Sequence, residues 1–316
     1  MNQLNELEQL KKKVVFIKRI YKGMWYFLLG FFFLNFLTSF RLFPFDGSRT
    51  SIIIGTLFFF LPMCVVGIAL YYISERYDKE YQQKVKMYYV VSCLNELFDE
   101  VEYDFSKGFD REFIDGTELV KTGLIYSSND FIAAKYKGIP FQMSDLLITD
   151  DTEGNGNKNT STLFFGQWFV FEFNKNFTGY LQLRDREEHT YRNGKPYSIF
   201  SKRENCEQIK FENDEFNQVF TSYASNAQEA FYLITPHFME KILSLKAKLE
   251  GELLIGFIDN QLHIALNSGK DLFEQNIWKD IADEYFEDVL SDLSIVTSII
   301  DELDLAKLEK SSKMVE

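Results

Sequence analysis

Two long uncharged runs dominate the first quarter of the chain, residues 23–40 and residues 50–74. As α-helices rising about 1.5 Å per residue, they would extend about 27 Å and about 37 Å. The hydrocarbon core of a bilayer is about 30 Å thick, so both runs are long enough to cross it. The pattern predicts a transmembrane hairpin of two helices, joined by a short external loop over residues 41–49.

The basic residues around these runs predict an orientation. Ten flank the runs on one side, namely Lys11, Lys12, Lys13, Lys18, Arg19, Lys22, Arg76, Lys79, Lys84 and Lys86, whereas the loop holds only Arg41 and Arg49. Lysines and arginines near membrane spans stay on the cytoplasmic side. We therefore expect a multi-pass protein of the cell membrane with both termini in the cytoplasm.

Apolar positions outside the two runs recur at the helical spacing of three and four residues. This holds for residues 1–22, for residues 75–109 and for residues 276–316, which contain the stripe Val289, Leu293, Val296, Ile300 and Leu303. The pattern predicts an amphipathic helix, a juxtamembrane helix, and a C-terminal helix with a tail. These helices are expected to pack together as a stalk. Binding of the first helix to anionic membrane lipid and oligomerisation through the stripes stay open as alternatives.

In the domain predicted over residues 110–275, apolar side chains recur at every second position, as they do in β-strands. Strands are predicted at residues 130–136, 139–148, 163–173, 177–183 and 207–212, and a hairpin is predicted at residues 253–267 around Asp259 and Asn260. Strands 163–173 and 177–183 are read as neighbours in an antiparallel meander. Residues 226–249 are predicted to be helical, with Thr235 as a cap and Pro236 in the first turn. The expected fold class is α+β, with a mainly antiparallel sheet and packed helices.

The distribution of charge and the spacing of cysteines exclude some classes of function. The chain has 34 basic and 47 acidic residues, and only 8 of the basic and 3 of the acidic ones lie in the first 74 positions. The remainder is strongly acidic and would repel nucleic acid, so we expect no nucleic-acid partner. The 3 cysteines show no metal-ligand spacing, and a disulfide framework is not expected.

Three residues are the candidates for chemistry. Asp151 and Glu153, with Asn155 and Gly156, fit the start of a calcium-loop pattern, but Thr162 stands where that loop needs a carboxylate. A simple strand connection is the competing interpretation. His237 falls in the first turn of a predicted helix, where it could act as a base or simply pack at the surface.

The sequence contains no motif that supports another kind of catalytic or binding site. His263 is expected to be exposed, and no motif for nucleotide binding, zinc hydrolysis or a serine nucleophile occurs. We therefore predict no metal and no cofactor. Catalytic residues stay unassigned, with His237, Asp151 and Glu153 as weak candidates.

Several short segments resemble the bacterial family known as Domain of Unknown Function 3137. They are residues 165–169, 174–179, 216–223, 227–230 and 233–239, within a similarity over residues 99–266. The resemblance implies a membrane-anchored bacterial protein without an established activity, sometimes encoded beside LemA-like membrane proteins. It supplies no catalytic residues.

Together these observations favour a membrane-anchored cytoplasmic binding or scaffold protein over an enzyme. Its expected partners are membrane lipid and another membrane or cytoplasmic protein, for which the resemblance implies a LemA-like one. The alternative is a membrane-bound enzyme of unknown reaction, with its site in the α+β domain.

Overall fold

The computed structural model describes residues 2–39, 49–154, 157–172, 177, 179–186, 191–192, 195–196, 200–201, 203–275, 277–278 and 283–305. The helices are α1 (Asn2–Ser39), α2 (Arg49–Val85), α3 (Val91–Leu97), α4 (Arg111–Thr117), α5 (Asp214–Val219), α6 (Ala227–Leu233), α7 (Pro236–Lys248) and α8 (Asp283–Leu303), with a π-helical turn at Lys86–Val90. The strands are β1 (Asp99–Asp104), β2 (Ile125–Tyr136), β3 (Ile139–Gly154), β4 (Asn157–Glu172), β5 (Tyr180–Asp185), β6 (Tyr191–Arg192), β7 (Lys195–Pro196), β8 (Glu207–Ile209), β9 (Phe220–Ala224), β10 (Glu252–Ile258) and β11 (Gln261–Asn267).

The chain forms two compact units. The helical unit comprises Met1–Tyr88 with Gln275–Ala282, and the β-rich unit comprises Tyr89–Glu274 with Asp283–Glu316.

In the helical unit, α1 and α2 pack against each other as antiparallel partners. Ion pairs hold the register, because Lys84 Nζ lies 2.9 Å from Glu6 Oε1 and Lys18 Nζ lies 2.6 Å from Asp78 Oδ2. Apolar side chains of α1 at seven-residue intervals are buried, namely Leu7, Val14 and Leu28. Their spacing is that of a coiled-coil seam. The predicted stripe of residues 1–22 therefore has a partner within the chain.

The predicted transmembrane hairpin is wrong. In the part of the chain that the structure describes, no helix is long and apolar enough to cross a membrane. Each uncharged run is also part of a longer helix that carries charged residues. α1 also carries the charged residues 11–22, and α2 also carries the charged residues 75–84. The predicted multi-pass placement in the cell membrane is therefore wrong as well. The orientation inferred from it no longer applies. The loop predicted at residues 41–49 lies largely outside the described residues.

The β-rich unit is built on one antiparallel sheet of nine strands, in the order β1-β2-β3-β4-β11-β10-β5-β9-β8. This arrangement confirms the predicted antiparallel sheet with packed helices. The predicted meander of residues 163–173 with residues 177–183 is wrong, because β4 and β5 are not neighbours. The β10–β11 hairpin lies between them, with β11 paired to β4 and β10 paired to β5.

Both faces of the sheet centre are covered. On one face, Trp168, Leu254 and Ala265 join a core with Ile114 and Leu119 from the segment around α4. On the other face, the ring of Phe257 in β10 lies 6.2 Å from the ring of Phe238 in α7. The C-terminal stripe on α8 is buried as predicted, with every member 1% exposed or less. Strand positions of both parities therefore bury apolar side chains, which obscures the alternation expected of a one-sided sheet.

Several local predictions are confirmed. Asp259 and Asn260 have φ angles of 47° and 62°, as a two-residue hairpin turn between antiparallel strands requires. Thr235 Oγ1 accepts a hydrogen bond from Phe238 N, and Pro236 begins α7. The helix predicted at residues 226–249 is nevertheless two helices, α6 and α7, since this cap and proline start a new helix.

The helix predicted over residues 75–109 is wrong beyond Leu97. α3 ends at Leu97, and β1 then pairs with β2. Glu100 has a φ of 52° at an irregularity in that pairing, so the backbone there is not helical. The apolar spacing of three and four residues misled the interpretation, because β1 is too short and irregular to show its own period.

Substitution of Phe169 by Ala tests the importance of the sheet centre. Phe169 is 0% exposed in β4, and we expect the change to lower the free energy of unfolding by about 3 to 5 kcal/mol, as lost aromatic cores do. The control is Tyr232→Ala on α6, where the side chain is 76% exposed and a change within about 0.5 kcal/mol is expected. Urea denaturation measures both, and equal losses would contradict this description of the core.

Candidate functional site

Three aspartates converge inside the β-rich unit. Asp130 in β2, Asp145 in β3 and Asp271 after β11 each place one carboxylate oxygen within 4.8 Å of the others. Asp130 is 1% exposed and Asp145 is 3% exposed. Charged side chains are rarely buried to this degree without a partner, so this carboxylate cluster is the candidate functional site.

A bulge in β2 positions Asp130. The register with β3 shifts between Asn129 and Ile132, and Asp130 has a φ of 55°. Tyr103 donates its hydroxyl to Asp130 Oδ1 at 2.5 Å, and Asn129 Nδ2 donates to Oδ2 at 2.7 Å. Bulges redirect side chains, and this one aligns an aspartate with the edge strand that carries Tyr103.

Asp145 is fixed from two sides. Gln167 Nε2 in β4 donates to Asp145 Oδ1 at 3.1 Å, and the backbone N–H of Leu272 donates to Oδ2 at 2.8 Å. The Gln167 side chain is held in turn, since Ser268 Oγ donates to its Oε1 at 2.9 Å. The segment that follows β11 is thereby tied to β3 and β4, which brings Asp271 to the cluster.

The electrostatics of the cluster favour a bound proton or a bound cation. Burial raises the pKa of Asp145 well above its ordinary value, and the neighbouring Asp271 carboxyl raises it further, against the opposing hydrogen bonds from Gln167 and Leu272. Burial also raises the pKa of Tyr103, and Asp130 adds to that increase. Among the described residues, Asp271 Oδ1 is buried without a hydrogen-bond partner. Carboxylate oxygens are ligands that Mg²⁺ and Ca²⁺ prefer, and two carboxyls at this distance can also share a proton.

The residues proposed from the sequence lie elsewhere. His237, in the first turn of α7, has a side chain that is 75% exposed, with Nδ1 3.8 Å from Glu240 Oε2. Asp151 and Glu153 lie near the end of β3, opposite Thr160 and Lys158 of β4. The β3 and β4 strands thus extend beyond the ranges predicted for them, while the side chains of Asp151 and Glu153 are outside the described part. His237, the one candidate whose side chain is described, does not belong to the carboxylate cluster.

Sequence reasoning missed the cluster because its members are far apart in the chain. Asp130 and Asp145 belong to strands that pair with each other, but Asp271 comes more than a hundred residues later. The one local signal is that Asp145 stands inside an apolar strand, between Ser144 and Leu146. A carboxylate in such a position needs a partner from another segment.

His263 is buried, so its predicted exposure is wrong. The side chain is 1% exposed because α4 covers this face of β11, with the ring of Phe113 5.7 Å from the imidazole. Trp168 Nε1 donates to His263 Nδ1 at 3.3 Å. Burial lowers the pKa of His263 to about 4. Its position therefore indicates a packing role.

The buried histidine predicts a dependence of stability on pH. The unfolded chain takes up a proton near pH 6.5, whereas the folded chain does so only near the pKa of about 4. Stability present above pH 6.5 is therefore lost as the pH falls through this window, by up to about 3 kcal/mol. Denaturation of the wild type and of His263→Gln between pH 7 and pH 4 isolates this contribution. Identical pH profiles would contradict it.

The raised pKa of Asp145 predicts that folding stability depends on pH in the opposite sense. Its raised pKa means that the folded state keeps a proton which the unfolded chain releases, so this contribution is lost as the pH rises through the folded pKa. Asn carries no titratable proton but loses one of the two accepted hydrogen bonds, so we expect the stability of Asp145→Asn relative to the wild type to increase as the pH rises from 4 to 8. The control is Asp288→Asn, an exposed position on α8. A loss of stability at pH 8, together with a lost response to Mg²⁺ or Ca²⁺, would instead identify a cation site.

Comparisons with known proteins test which proteins and families the chain is similar to. No curated protein matches the chain. Among solved structures, the crystal structure of the mycobacterial trehalose monomycolate transport factor A, TtfA, aligns with 8% identity, 71% of this chain, 94% of that chain and a TM-score of 0.37. A likeness at that level carries no inference about this protein. A family model described as a protein of unknown function (DUF3137) matches residues 162–305, which contain the five short segments that carry the predicted resemblance. The range predicted for the similarity, residues 99–266, overlaps this match only from residue 162 onward. Over this segment, the chain is similar to the DUF3137 family.

Proposed function

We propose that the protein is a binding or scaffold module whose helical unit assembles with the helical unit of a second copy. The observation that carries this proposal is the number of large apolar side chains exposed on α1 and α2. Those between 54% and 72% exposed within residues 23–72 are Tyr26, Phe27, Leu29, Phe32, Phe33, Leu61, Val65, Ile68 and Tyr72. Extended apolar surfaces of this kind mark interaction sites.

The size of this apolar helical surface suits a dimer. A buried aromatic side chain covers about 150 to 250 Å², so side chains exposed to roughly 60% leave about 100 Å² each. Nine of them leave on the order of 900 Å² per chain, against about 800 Å² per partner in a standard interface. The surface is thus large enough to support stable association.

A second copy suits the chemistry of the apolar helical surface. Two antiparallel helix pairs can form a four-helix bundle, which buries apolar side chains of all four helices. The stretch of α1 from Gly23 to Ser39 has no charged residue, so pairing two copies there opposes no like charges. A symmetric interface uses the same patch on both subunits, so no other protein is needed to complete it.

An enzyme with its site in the β-rich unit is the second candidate. The convergence of Asp130, Asp145 and Asp271 favours it. A substrate would have to reach carboxylates that are 1% and 3% exposed, whereas a binding role needs no such access. The binding role therefore ranks first. The LemA-like partner implied by the family resemblance stays a prediction.

Charge placed on the apolar helical surface should prevent assembly. We expect the wild type to sediment as a dimer, and Phe33→Glu or Val65→Glu to weaken dimerisation at least tenfold, which is about 1.4 kcal/mol or more. Both side chains are more than 60% exposed, so the folded monomer should tolerate the changes. Sedimentation velocity over a range of protein concentrations measures the dissociation constant.

The matched control is Tyr232→Glu, which places the same charge on an exposed aromatic position of the β-rich unit. It should leave the dissociation constant unchanged. A wild type that is monomeric at every concentration would refute the proposal. Binding of the monomer to lipid vesicles through Phe33 and Val65 would also refute it, because the occupant would then not be a second copy.

A further inference from the structure

A groove in the helical unit combines basic and apolar side chains. It has a volume of about 640 Å³ and is lined by Glu8, Lys11, Lys12, Val15, Phe16, Arg19, Ile277 and Trp278. Lys22 Nζ lies 4.6 Å from the centre of the Trp278 ring, which adds a further positive charge beside that ring. We refer to these residues as the basic groove.

The order of residues along α1 gives the basic groove a pattern. Lys12, Phe16 and Arg19 are spaced by four and three residues, so they lie on one side of the helix. The pattern is a positive charge, an aromatic side chain and a second positive charge, over about 10 Å of helix. A complementary ligand has an apolar side chain between two negative charges at the same spacing.

The acidic residue in the basic groove does not block this pattern. Glu8 Oε2 lies 3.8 Å from Lys12 Nζ, and these side chains are 62% and 79% exposed. Such an exposed pair within one helix contributes little, so an incoming carboxylate can compete for Lys12. Arg19 is exposed as well. Both ends of the pattern are therefore accessible.

We infer that the basic groove binds an acidic amphipathic helix of a partner protein, an inference that rests on the proposed binding role. The partner helix carries a large apolar residue flanked by acidic residues four positions before and three positions after it. The apolar residue packs among Val15, Phe16 and Ile277, and the acids pair with Lys12 and Arg19. Docking of an apolar helix face into a groove is a common mode of peptide recognition.

The apolar lining favours a protein ligand over other anions. Val15, Phe16 and Ile277 would gain nothing from a phosphate group, which binds through charge alone. An anionic lipid surface shares the charge but not the defined spacing, so it can be separated by experiment.

A designed peptide tests the basic groove. The probe is a labelled helical peptide of about 15 residues with a central leucine and two glutamates at the stated spacing, and its control has glutamines in their place. Fluorescence anisotropy with the full chain should show binding that weakens with salt, as screening of charge requires. Arg19→Gln and Lys12→Gln should each weaken it about fivefold, and Phe16→Ala about tenfold.

Lys13→Gln is the matched control variant. It removes the same charge from the same helix, but Lys13 Nζ lies 3.9 Å from the centre of the Tyr77 ring and does not line the basic groove. Its affinity for the peptide should equal that of the wild type. Equal binding of the glutamine peptide, or equal losses in Lys13→Gln and Arg19→Gln, would overturn the inference.

Two further measurements separate the possible failures. Vesicles with anionic headgroups that bind the chain through Lys12 and Arg19, while the peptide does not bind, would overturn the inference in favour of lipid. Sedimentation of the same variants reports the dimer independently. An unchanged dimer without peptide binding refutes the basic groove alone, whereas loss of both refutes the proposed function as well.

Discussion

The pairing of the β10–β11 hairpin into the middle of the sheet is the interaction on which the β-rich unit depends. All seven residues of Glu252–Ile258 are buried, and the hairpin joins β4 on one side to β5 on the other. Gly166 permits the close approach of β4, because a Cβ there would lie 2.1 Å from the carbonyl oxygen of Leu266. Without the hairpin, the sheet would divide into two parts with unpaired edges.

This central pairing also brings the carboxylate cluster together. Gln167 belongs to β4 and touches Asp145, while the segment after β11 supplies Leu272 N and Asp271. The cluster is therefore assembled only when β3, β4 and β11 have found their register. Burial and the neighbouring Asp271 carboxyl raise the pKa of Asp145, so a bound proton or cation stabilises the assembled cluster.

Local features were predictable from the sequence, and long-range features were not. The turn at Asp259 and Asn260 and the cap at Thr235 depend on neighbouring residues alone. The strand order and the carboxylate cluster depend on contacts between distant segments, which have no local signal. The burial of His263 depends on α4, which covers its face of the sheet. The pairing of α1 with α2 is likewise a contact between distant segments, which the uncharged runs do not reveal.

The two units differ in how completely they bury their apolar side chains. Both faces at the centre of the β-rich sheet are covered, whereas α1 and α2 leave aromatic side chains such as Phe27 and Phe32 about 60% exposed. That contrast is why we assign assembly to the helical unit. A second copy that covers this surface would bury apolar area which the isolated chain leaves in contact with water.

Photocrosslinking from the apolar helical surface tests this assignment most directly. A photoreactive phenylalanine analogue at position 27 should crosslink to α1 or α2 of a second copy, and the same analogue at position 232 should form no such crosslink. Mass spectrometry of the linked peptides identifies the contact. Crosslinks from position 27 only to lipid, only to the β-rich unit, or only within one chain would contradict the account.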